Sequence, residues 1–264
     1  MNTRHIVLGS ALAGLTALAA ALAWLARPDA ARAVPQPVKA GEASALEATV
    51  LWFREQEQGT DPYTTRVIVT ERWLRMDDGR DGGDFVLLDR RARTVYSVVH
   101  GDRAILVVPY REVHARPPVR LEYGVEETPQ TGAPRIEGRQ VVHYRFSVNG
   151  QTCRDVMAVP GLLQEAVAAL RELAGVMAGE HGANLARTPV DMQRQMLCDL
   201  AESIFAPGLY LEKGLPVQEW SEDGYRRSLV DYRRGWQADP ALFVLPAGYR
   251  RFTVSDIAGP AQDG

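Results

Sequence analysis

Lysine is almost missing from these 264 residues: Lys39 and Lys213 are the only two. Positive charge is carried instead by arginines scattered through the chain, and at a net charge of −3 no long run of one sign occurs. A nucleic-acid surface, which needs clustered cations, is therefore not expected. Catalytic signatures are missing as well. There is no G-x-S-x-G elbow, no H-E-x-x-H helix and no glycine loop able to cradle a phosphate. An enzyme is not expected; a hydrolase assembled from scattered His, Ser and Asp is the lesser alternative. No metal or cofactor is expected either. Asp77, Asp78, Asp81 and Asp84 are acidic and close together, but their spacing misses the EF-hand loop and reads as a solvated turn.

What the chain does have begins at its N-terminus. Met1 to His5 carry positive charge, Ile6 to Leu25 contain no charged residue, and Ala31-Arg32-Ala33 offers a small-x-small cleavage pattern. Residues 1–33 read as a signal peptide or, uncleaved, as a membrane anchor, since twenty apolar residues can span a bilayer. Either way the folded part is expected outside the cytoplasm: in the periplasm, free or tethered to the inner membrane. Only the uncleaved segment would touch the membrane. Residues 34–45 form a linker.

The two cysteines, Cys153 and Cys198, lie in the exported portion, where an even pair is read first as a disulfide. A metal site would need further ligands, and no His is close in sequence to either.

From Leu46 the apolar residues alternate with polar ones, as in a half-buried strand. Short β-branched runs then follow at close spacing, separated by Asp-Gly and Arg-rich turns, which predicts an antiparallel meander to about residue 109. Residues 109–139 contain five prolines and are expected to be irregular. Val142, Tyr144, Phe146 and Val148 share one strand face, and Asn149-Gly150 is a type I′ turn signal. That turn places Val148 opposite Gln151 and Phe146 opposite Cys153.

Helical spacing takes over at Leu163, Ala166, Val167, Leu170, Ala174 and Met177, and the helix is expected to stop at Gly179–Gly182. A second helix is predicted with Thr188 as N-cap, Pro189 in its first turn, and Met196, Leu197, Leu200 and Ile204 as its apolar stripe. The helical pair occupies 161–206, and a Cys153–Cys198 bridge would pin it to the sheet. Another hairpin turns at Asp223-Gly224. The final run, "ALFVLPAGYRRF" from Ala241 to Phe252, is too apolar for a disordered tail and reads as a strap that closes the fold. Residues 255–264 are left as a tail.

The motifs "LRMDDG", "FVLLDRRARTVYSV", "CRDVMAVPG" and "LFVLPAGYRRF" resemble those of the LolA/LolB-like bacterial envelope proteins, and more closely their uncharacterised secreted relatives. Arg75, Asp77, Asp89, Val95 and Tyr96 match an Arg-x-Asp strand followed by a hairpin. The resemblance implies an α+β fold over residues 46–254: a curved antiparallel sheet, or incomplete β-barrel, with the two-helix insertion packed on it. It also implies a non-catalytic role in holding a hydrophobic ligand, an acyl chain or a lipoprotein or lipid, between sheet and helices. Trp52, Trp73, Tyr144, Phe146, Met157, Met177 and Met196 would line such a pocket; apolar residues at this spacing also serve as ordinary core. The competing reading is a structural or interaction module with a filled core that docks another envelope protein.

Overall fold

A computed structural model describes residues 44–257. The leader, most of the linker and the last residues of the tail lie outside the described residues. Those that are described form one large, curved, unclosed sheet of twelve strands with helices on one face. In chain order the strands are β1 (Leu46–Gln56), β2 (Tyr63–Val69), β3 (Trp73–Asp77), β4 (Phe85–Asp89), β5 (Thr94–Val99), β6 (Ala104–Pro109), β7 (Tyr123–Pro129), β8 (Val142–Val148) and β9 (Gln151–Val159). After the helices come β10 (Leu215–Trp220), β11 (Arg226–Ala238) and β12 (Arg250–Phe252). Their spatial order is β12-β6-β5-β4-β3-β2-β1-β11-β10-β9-β8-β7. Two meanders therefore flank a central β1–β11 pair. The sheet is mixed rather than purely antiparallel, because β12 runs parallel to β6 at the outer edge. Among the described residues no helix is long and apolar enough to cross a membrane.

The period-two patterns become the two faces of the sheet. On one face Leu51, Phe53, Val67, Leu74, Val86 and Leu88 pack beneath the helix α1 (Gln164–Asn184), which buries Ala166, Ala169, Leu173, Val176 and Met177 against them. On the other, Val50, Ile68, Phe85, Leu87 and Ile105 are covered by Leu242 and Phe243 of the C-terminal segment. A sheet with both faces apolar needs both covers.

Three expectations change. The hairpin at Asn149-Gly150 forms, both residues having positive φ (51° and 81°) as a type I′ turn demands. Val148 does face Gln151, but a bulge between Phe146 and Ser147 moves Phe146 opposite Arg154 rather than Cys153. Residues 109–139 are not wholly irregular either: β7 lies within them as an exposed edge strand, where Pro129 leaves no inner ladder bond unmade. Finally, α1 runs straight through Gly179 and Gly182. A Cβ on Gly179 would sit 2.2 Å from the carbonyl oxygen of Arg111, and one on Gly182 would press on Val113. These glycines admit a crossing backbone; they do not end the helix.

The second predicted helix is broken. Thr188 makes no cap, and the chain passes through a 3₁₀ turn (Leu185–Arg187), α2 (Val190–Gln195), α3 (Leu197–Leu200), a π turn (Ala201–Phe205) and a 3₁₀ turn (Leu209–Lys213). Its course is dictated by two tethers to β9. The Cys153–Cys198 disulfide is present, and Arg154 next to it pairs with Glu202, one turn on from Cys198. A regular helix over the whole stretch gives way to these anchors.

Candidate functional site

The site is built by charged residues that fall on the apolar phase of their strands. Leu51, Phe53 and Glu55 alternate along β1 toward α1. In the register of the central strands Glu55 stands opposite Arg227 of β11, and Arg227 opposite Glu219 of β10. Directly opposed side chains lie within contact distance, so the alternation becomes a ladder of ion pairs across three strands. Arg227 Nε is 3.4 Å from Glu55 Oε1, and its Nη1 donates to Glu219 Oε1 at 3.4 Å. On β9, Arg154 reaches diagonally to Glu219 Oε2 at 3.3 Å and clasps Glu202 of the π turn at 2.6 and 3.0 Å. Tyr225 donates its hydroxyl to Glu55 at 3.1 Å, and Arg227 stacks 3.7 Å over the ring of Phe53.

These groups lie below the surface: Glu219 is 1% exposed, Glu55 4% and Arg154 6%. Burial alone would lower the pKa of the Arg154 guanidinium, but Glu202 and Glu219 hold it charged and well above the ordinary value. Arg227 is pushed up likewise, burial being outweighed by Glu55, Tyr225 and Glu219. Burial and the neighbouring carboxylates Glu219 and Glu55 keep the Tyr225 phenol protonated. Three carboxylates face two guanidiniums, a net of −1. Arg227 is incompletely matched: its Nε, although 3.4 Å from Glu55, and its Nη2 are both buried without a hydrogen-bond partner, a state that few buried polar groups share.

Above the network is a partly open crevice of about 90 Å³. Its floor is Phe53, Glu55, Arg154, Tyr225 and Arg227; Leu170, Leu173, Ala174 and Met177 of α1 form one wall, and Tyr210 and Leu211 another. His181, at its rim, has its pKa lowered by burial, although the carbonyl of Ser203 and the nearby Glu180 oppose this. Its Nδ1 faces that carbonyl at 3.4 Å, while the Ser203 hydroxyl donates to the carbonyl of Asp199. His181 and Ser203 are thus not arranged as base and nucleophile.

Of the residues expected to line a pocket, Met177 does. Met157 packs against the same core. Tyr144 and Phe146 form a neighbouring cluster with Tyr210. Trp52 and Trp73 are on the opposite face of the sheet, Trp73 stacked on Phe243 with ring centres 6.5 Å apart. Met196 is exposed. The seven do not converge on one space. Of the aspartates read as a solvated turn, Asp77 is instead buried at the end of β3, accepting from Arg66 of β2 and Arg75 of β3, while Asp78 pairs with Arg80 in the turn itself. Among the described residues no group of three or more His, Cys, Asp or Glu is placed to hold a metal ion.

Sequence reading missed Glu55, Arg154, Glu219 and Arg227, though the signal was present. Each has an apolar or aromatic residue two positions away on at least one side: Phe53 for Glu55, Val156 for Arg154, Val217 for Glu219, and Tyr225 and Leu229 for Arg227. A charge on that phase must either leave the sheet or be paired within it.

No family model matches the chain, and no curated protein matches it. Among solved structures, PNGF-II in its C2 crystal form matches at 11% identity and a TM-score of 0.38, over 80% of this chain and 32% of the other. The P21 form matches at 10% identity and the same TM-score, over 80% and 33%. The chain spans about a third of the length of these PNGF-II structures.

Proposed function

We propose that this is a non-catalytic protein of the bacterial envelope, exported to the periplasm, with a LolA-like incomplete barrel that holds an amphiphile between its sheet and α1. The observation that carries the reading is the crevice itself: apolar walls from α1 over a floor that holds an incompletely matched guanidinium, Arg227. The ligand's acyl part would lie along Leu170, Leu173 and Met177, and its polar end would accept from Arg227 Nη2. Charge narrows that end further. The buried network already sums to −1, so an anionic head would be repelled where an ester or amide carbonyl or a hydroxyl would not. At about 90 Å³ the crevice is smaller than the roughly 300–1,000 Å³ of sites that enclose a whole small molecule. On this reading the structure is the closed form, and α1 moves outward to admit a chain.

The small volume of the crevice favours the second reading, a structural or interaction module. The two part in one experiment. Full-length protein purified from envelopes is examined by native mass spectrometry and solvent extraction, beside Ala174→Trp, which fills the crevice. A carrier yields an uncharged-head or zwitterionic acyl lipid that the variant lacks. Protein free of lipid in both forms, with no uptake of a fluorescent acyl probe, leaves the filled-core module.

A further inference from the structure

The opposite flank of α1 carries a second and larger recess. Ala168, Arg171, Glu172 and Gly175, at helical i, i+3, i+4 and i+7 spacing, face Leu88 and the β4–β5 turn across a groove of about 390 Å³. Arg90 and Arg93 project from that turn. Three guanidiniums and one carboxylate line the space, the reverse of the balance in the crevice.

The arginines are not equivalent. Arg90 is committed: it donates to both oxygens of Glu172 at 2.7 and 2.9 Å and to the carbonyls of Thr70 and Glu71. Arg171 gives one nitrogen to Glu212 at 2.8 Å. Arg93 sits over Tyr110, its guanidinium carbon 3.3 Å from the ring centre, and among the described residues its guanidinium enters no hydrogen bond or ion pair. Stacking holds a guanidinium in place while leaving its in-plane donors free. Arg93 also has φ 49°, a backbone state that glycine or asparagine would adopt at lower cost.

Gly175 is the second independent feature. Glycine inside a helix is destabilising relative to alanine. At Gly179 close packing accounts for it, but a Cβ on Gly175 would meet nothing within 4 Å. No packing within the fold requires the glycine, and a side chain there would enter the groove.

We infer that this groove is a binding site for a phosphate-ester oxyanion, with Arg93 and Arg171 as donors and Leu88, Ala168, Val176 and Pro207 as an apolar margin for the ester's substituent. Planar guanidiniums suit such recognition through paired N–H···O bonds. The ester could belong to a soluble metabolite or to a lipid headgroup, and the experiment distinguishes them. Full-length protein is titrated with inorganic phosphate, and separately with phosphatidylcholine vesicles with and without phosphatidylglycerol. Arg93→Gln and Gly175→Leu are measured alongside. Saturable binding of phosphate, or a preference for phosphatidylglycerol, weakened at least tenfold in both variants, supports the site; the first points to a soluble ester and the second to a headgroup. Gly175→Leu should melt no lower than the parent, so its loss of binding cannot be misfolding. Absence of both kinds of binding, or binding that the two variants leave unchanged, overturns the inference.

Discussion

Glu219 is where the buried network is least replaceable, because both guanidiniums share it. Each of its carboxylate oxygens serves a different arginine, Arg154 on one side and Arg227 on the other. Removing one partner of a buried ion pair typically costs about 3–5 kcal/mol, much of it from the charge left behind. Glu219→Ala should therefore destabilise by about that much, with Arg154 keeping Glu202 and Arg227 keeping Glu55 as partial compensation. Glu219→Gln retains an acceptor and should lose less. Denaturant melts of the two variants check the order; equal and negligible losses would show that the network is not buried in solution. The same residue explains what could and could not be read beforehand. Period two placed the strands, and the apolar phase of each strand was visible. The ladder was not, because its meaning depends on which strands become neighbours. Glu55 and Arg227 are far apart in sequence and meet only through the β1–β11 pairing.

At the scale of elements, the helical segment illustrates the same division. The periodicity of α1 was legible, while its end was not: Gly179 looks like a stop until the Arg111 backbone is seen crossing it. Proline likewise disguised β7, since an edge strand tolerates what an inner one does not. Cysteine arithmetic did better: the even pair expected to bridge does so. The bridge closes a separation of 45 residues, which in the chain-entropy model restrains the unfolded state by about 4 kcal/mol. The measured loss in Cys153→Ser/Cys198→Ser should be smaller, about 2–4 kcal/mol, if Arg154–Glu202 keeps the π turn docked beside the missing bond. Adding Glu202→Ala to that pair of substitutions should then cost more than Glu202→Ala costs in the oxidised parent. Strict additivity in denaturant melts would mean that the two tethers act independently.

For the molecule as a whole, the β1–β11 pairing joins the two meanders, and the last segment of the chain covers the second face of the first one. After β11 has paired with β1 at the sheet's centre, residues 239–252 cross the outer face of the first meander and end as β12 beyond β6. The crossing is fastened along its length. Arg75, only 1% exposed, lies 3.9 Å over Phe85, donates to Asp77 at 2.6 Å and to the carbonyl of Leu242 at 2.6 Å. Phe243 stacks on Trp73, and the Tyr249 hydroxyl is 2.8 Å from His100 Nδ1. The apolar strap was legible in "ALFVLPAGYRRF", and the Arg-x-Asp pair was visible as a motif; that the arginine's role is to hold the strap was not, for the two are 167 residues apart. Losing the burial of Leu242 and Phe243 removes about 3–6 kcal/mol, and stranding the Arg75 guanidinium adds about 1–3 kcal/mol. A domain has only about 5–15 kcal/mol in total. Truncation before Ala241 should therefore abolish the cooperative melt or lower its midpoint by at least ~10 °C. Since such a chain could simply fail to fold, Phe243→Ala is the companion: it keeps β12 and the Arg75 contacts and should fall between the parent and the truncation. A truncated chain that melts like the parent would show that the strap lies on the sheet without holding it.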